Sequence, residues 1–96
     1  MTERTNPEQV DTLPEPVVAL LRAVHDALDI PLPGVTDADE RAYDRLLDRR
    51  AMHARVTLAC ILQDGHGVGR SAAVLRDLTS REPVTYTPWI AAGGER

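Results

Sequence analysis

Residues 36–65 read TDADERAYDRLLDRRAMHARVTLACILQDG, and this stretch decides the fold. Tyr43, Leu46, Leu47, Ala51, Ala54, Leu58, Ile61 and Leu62 recur at spacings of three and four. That register is the signature of one apolar helix face, held here for about five turns. Thr36 stands where an N-cap belongs, and Asp39 follows three residues later, a capping box with Asp in place of Glu. Asp37, Asp39 and Glu40 put negative charge on the first turn, where the helix dipole favours it. Gly65 stands where a C-cap glycine belongs. The pattern predicts a helix over 37–63. Met52, Val56 and Ala59 add a second apolar strip near its end, so the last turns are expected to be the most buried helical segment or to face a partner.

The segment after it, DGHGVGRS (64–71), is rich in glycine. A dinucleotide-binding turn needs G-x-G-x-x-G after a strand, whereas this is G-x-G-x-G after a helix. A phosphate-binding P-loop needs Gly-Lys, and the chain has no lysine. The glycines read instead as helix terminator and hinge.

Working outward, LPEPVVALLRAVHDALD predicts a helix over 16–29, with Val17, Leu20, Leu21, Val24 and Leu28 inward. Pro16 suits its first position, because an N–H there has no intrahelical partner. IPLPGVT is a stiff connector, with Gly34 allowing a turn. SAAVLRDLTSR predicts a helix over 70–80, with a start as early as Val68 compatible with its pattern; Ala72, Val74, Leu75 and Leu78 give its inner face. PVTYTPW (83–89) reads as an extended arm between two prolines. No second strand candidate accompanies it, so the arm is expected to lie across the helices with Tyr86 and Trp89 packed inward. The fold expected is all-α: a three-helix domain over 13–90, with a long central helix and an extended C-terminal arm. Residues 1–12 read as a disordered lead-in and 91–96 as a frayed tail.

The chain has 96 residues, enough for one domain, and no phenylalanine. So few large rings make a thin core, which favours help from a partner chain. The net charge of −4 argues against generic attraction to nucleic acid or anionic lipid. No apolar stretch is long enough to span a membrane. The N-terminal MTERTNPEQVD is polar and acidic, unlike a signal peptide, so a cytoplasmic protein is expected. All basic residues are arginine, which fits coding bias in a high-GC genome.

Cys60 is the single cysteine, so no internal disulfide can form, and its apolar surroundings suggest a small buried residue. His53 and Cys60 are seven residues apart, or roughly 10 Å along a helix, too far to share one zinc ion. Asp64 and His66 would need further ligands that the spacing does not identify. No metal site and no cofactor is therefore expected. Neither Ser71 nor Ser80 has a nucleophile context, and GxSxG is absent, so an enzyme is not expected.

Arg41, Arg45 and Arg49 follow at four-residue steps, and Arg50 and Arg55 add to them. Asp37, Asp44 and Asp48 lie three or four positions away, which predicts a solvated, salt-bridged face. The alternative is a docking strip for an acidic partner or a nucleic-acid backbone. Arg41, Arg45, Arg49, Met52, Val56 and Trp89 are the candidate partner-docking residues. The function expected is that of a small non-enzymatic interaction protein, binding an unidentified protein or itself. The competing reading is a DNA-binding regulator whose third helix presents Arg70, Arg76 and Arg81, with Ser71 and Thr79 beside them. The acidic balance and a joining loop longer than the three to four residues of a helix-turn-helix count against it.

The PLPG connector, the DERAYDRLLDRR run and the PVTYTPW segment together resemble small helical proteins of high-GC actinobacteria and their mobile elements. That resemblance covers about a third of the chain by those segments and implies provenance rather than a chemical role.

Overall fold

A computed structural model describes residues 12–89, and the expected lead-in and tail fall almost entirely outside these residues. Three helices form: α1 (Glu15–Leu28), α2 (Asp37–Asp64) and α3 (Val68–Arg81). The architecture is the expected one, a three-helix arrangement with a long central helix and an extended arm.

Each boundary has a local cause. Glu15, not Pro16, is the first residue of α1; the Pro14 carbonyl accepts from the N–H groups of Val17 and Val18 at 3.0 and 3.1 Å. Thr36 caps α2, its hydroxyl accepting the Asp39 N–H at 3.0 Å. Gly65 ends α2 at φ 71°, in the left-handed region that glycine enters without cost. Only residues 65–67 separate α2 from α3. The glycine-rich segment is thus a helix stop and a three-residue turn, and α3 begins at Val68.

The core is built from small side chains. Ala23, Ala27, Ala54 and Ala72 surround Leu75, which is fully buried. α3 packs chiefly on α1. This corrects the predicted inner face of α1. Leu20 and Val24 pack against the core as expected, but Leu21 and Leu28 are about half exposed, while Ala23 and Ala27 face the centre. Periodicity locates an apolar arc but not its closest-approach line. Where two helices pack tightly, alanines take that line, because the interaxial distance depends on side-chain size there.

A similar shift occurs on α2. Its buried residues are Leu46, Arg50, Ala54 and Thr57, a narrow stripe at four- and three-residue steps. Ala51 and Leu58 are exposed, and Leu62 is 82% exposed. Of the two alternatives expected for its last turns, burial within the chain does not occur. α2 has 28 residues against 14 in each neighbour. At 1.5 Å per residue that is about 42 Å against about 21 Å, so neither shorter helix alone can cover its whole length.

The C-terminal arm does find a partner within the chain. The Gly34 N–H donates to Thr87 O, and the Trp89 N–H donates to Leu32 O, both at 2.8 Å. They bracket an antiparallel bridge between Pro33 and Pro88. Proline has no N–H, so the neighbouring residues supply the bonds. The approach is close enough that a Cβ on Gly34 would sit 2.9 Å from Thr87 O. The Thr87 N–H in turn donates to the Asp39 carboxylate at 3.2 Å, which ties the arm to the first turn of α2. Tyr86 is buried, its hydroxyl donating to Pro31 O and its ring edge-on to Tyr43 at 5.8 Å. Trp89 is 51% exposed. The expectation of two inward aromatics therefore holds for Tyr86 and fails for Trp89.

Candidate interaction surface and donor cluster

Arg50 is the first surprise among the charged residues. The sequence places it in a basic run with Arg49 and Arg55, yet it is buried at 5% exposure. Its Nη1 donates to Ala27 O at 2.9 Å and Asp26 O at 3.3 Å. Its Nη2 and Nε donate to Glu82 O at 2.9 and 3.3 Å. One guanidinium thus satisfies the final carbonyls of α1 and the carbonyl just past α3. Both helix ends carry partial negative charge, which a cation complements. Arg50 has a structural role and leaves the candidate docking strip.

The exposed arginines do not form the predicted ladder. Among the described residues Arg41 and Arg45 have no ion-pair partner, and the expected pairs with Asp37, Asp44 and Asp48 do not form. Arg49 instead meets Glu82 at 3.6 Å. Arg45, Arg49, Arg81 and Glu82 line a shallow recess of about 280 Å³ beside the start of the arm. Arg81 also pairs with Asp77 at 2.9 Å.

A larger open groove of about 750 Å³ lies between the second half of α2 and α3. Met52, Val56 and Cys60 line it from α2, and Val74 and Leu78 from α3. Polar groups in its lining include His53, His66 and Arg70. Met52, Val56 and Val74 are each about half exposed, so apolar surface is open to solvent on both walls. Of the candidate docking residues, Met52 and Val56 lie here, Arg45 and Arg49 line the recess, and Arg41 and Trp89 line neither. The structure does not bring the six together. Among the candidate DNA-contact residues, Arg70 lines the groove, Arg76 is exposed and Arg81 turns toward the recess.

The end of α2 holds a feature that spacing alone missed. Cys60, Asp64 and His66 place one sulfur, one carboxylate oxygen and one ring nitrogen within 4.8 Å of one another. Cys60 and Asp64 are four residues apart and share a helix face. The left-handed Gly65 then turns the chain, and the His66 N–H reaches back to Cys60 O at 3.2 Å. Cys60, rather than a residue distant in sequence, is thus what the fold brings beside Asp64 and His66. The legible signal was a Cys-x3-Asp-Gly-His run across a helix stop. His53 lines the same groove, and its Nδ1 is buried without a hydrogen-bond partner among the described residues.

Comparison with protein-family models, curated proteins and solved structures finds no match in any of the three. Among the described residues no helix is long and apolar enough to cross a membrane.

Proposed function

We propose that this chain is a small non-enzymatic, cytoplasmic interaction protein that docks an apolar helix of a second copy in the groove between α2 and α3. The observation behind this reading is the exposed apolar lining: Met52 and Val56 on one wall and Val74 on the other. A second copy is the occupant of choice, because α2 itself outruns its neighbours and leaves apolar side chains exposed toward its end. Helix-in-groove docking draws its affinity from such rows of apolar anchors.

Fully burying one such side chain is worth about 1.5–3 kcal/mol. Val56→Asp should therefore weaken self-association roughly tenfold or more, since about 1.4 kcal/mol is a factor of ten. The residue is half exposed, so the variant should keep its helical circular dichroism and melting temperature. Sedimentation velocity across a dilution series reads the result. A parent that stays monomeric at every concentration, with no partner retained on a column of immobilised chain, would sink the proposal.

A second reading is favoured by one correction to the sequence-based expectation. The turn between α2 and α3 is three residues long, within the helix-turn-helix range, so the objection from loop length falls away. α3 also carries Arg70, Arg76 and Arg81 against Asp77 alone, a local charge of +2 from three basic and one acidic residue. On this reading duplex DNA binding is strongest at low salt and weakened by Arg76→Ala. No mobility shift at low salt removes it.

A further inference from the structure

We propose that Cys60, Asp64 and His66 form a zinc site at the end of α2, with its fourth coordination position facing the groove. The donor set is one thiolate, one carboxylate and one imidazole, three ligand types that zinc accepts together. Thiolate and imidazole disfavour magnesium and calcium, which take oxygen ligands.

The geometry is close to what the ion needs. Tetrahedral zinc with bonds of about 2.0–2.3 Å holds its donors about 3.3–3.6 Å apart. The three donor atoms lie within 4.8 Å of one another, so side-chain rotation by about an ångström closes the site. The backbone is already arranged for it. Helix spacing stacks Cys60 and Asp64 on one face, and the Gly65 turn with the His66-to-Cys60 hydrogen bond fixes the third ligand against the first. Asp64 and His66 are exposed and Cys60 is half-buried, so the ion has an open entry path.

Three protein ligands leave one position for water or another donor, the arrangement of zinc sites that stay open. Cys60 and His66 both line the groove, which directs that position into it. All three ligands come from one chain, so the site does not require self-association, although it shares the groove in which the second copy would dock. Binding converts the Cys60 thiol to a thiolate and releases its proton to solvent, so affinity rises with pH.

The test uses the full chain with reduced Cys60, titrated with zinc in a calorimeter and with cobalt(II) in a spectrophotometer. One equivalent should bind, and cobalt should give a near-ultraviolet thiolate-to-metal absorption. Cys60→Ser should abolish that absorption. Asp64→Asn and His66→Asn, both at exposed positions, should lower zinc affinity tenfold or more while leaving helicity unchanged. His25→Asn, on the exposed face of α1, should change nothing. Cobalt binding without thiolate absorption overturns the site, and so does zinc affinity that is equal in the parent, Cys60→Ser and His66→Asn.

Discussion

Arg50→Met should lower the free energy of unfolding by about 3 kcal/mol, a large part of the roughly 5–15 kcal/mol expected of a domain. Methionine keeps much of the volume and supplies no donor. The carbonyls of Asp26, Ala27 and Glu82 would then lose all the bonds Arg50 gives them. A buried acceptor left without a partner costs about 1–3 kcal/mol, and three are affected here. Two opposing effects reduce the sum: removing a buried cation regains its desolvation penalty, and water can reach the less buried carbonyls. The carbonyls should win, because Arg50 joins the ends of two helices that must otherwise be held by a small alanine core. Arg50→Lys should fall between parent and Met, since an ammonium keeps the charge but lacks the planar fork that reaches both helix ends. Urea unfolding measures all three. A loss below about 1 kcal/mol for Arg50→Met would show that the capping contributes little.

Tyr86→Ala should cost about 3–5 kcal/mol, as for other large buried aromatics, whereas Trp89→Ala should cost less than about 1 kcal/mol. Tyr86 is 7% exposed, packs edge-on to Tyr43 and donates to Pro31 O, so it fastens both the arm and the connector to the helices. Trp89 is 51% exposed and contributes its backbone N–H to Leu32 O, which alanine retains. Tyr86→Phe isolates the hydroxyl and should cost about 1 kcal/mol. Thermal melting ranks the variants, and native Trp89 emission should be water-like. Equal losses at the two positions would contradict this division. Burial pushes the Tyr86 phenol above its ordinary value, helped by the neighbouring Tyr43 and opposed by Arg50. Its folded pKa being raised, the stability it contributes is full below the unfolded value of about 10 and is lost as pH rises through the folded one.

Much of the fold was legible in the chain because local signals carry local structure. Thr36 and Gly65 bound the long helix with a cap and a left-handed stop, and the prolines around α1 and the connector set where helices cannot continue. The candidate site was less legible. Met52 and Val56 announced an apolar strip, but Val74 and Leu78 join them only once α3 is folded back across α2. Cys60, Asp64 and His66 are near in sequence, yet their convergence depends on the backbone turn at Gly65 rather than on residue spacing.

The sequence by itself determined the number, type and approximate ends of the helices, since hydrophobic period, capping and glycine or proline breaks act within a few residues. Only the tertiary structure decided which of two adjacent arginines is buried. Arg49 and Arg50 are identical in chemistry, and a 100° step around α2 sends one to solvent and the other to the carbonyl ends of α1 and α3. It likewise decided that Ala23 and Ala27, rather than Leu21 and Leu28, are buried on α1, and that the Leu32–Gly34 connector pairs with the arm. These are outcomes of distance between segments remote in sequence. Close packing and backbone pairing select them only after the helices have met.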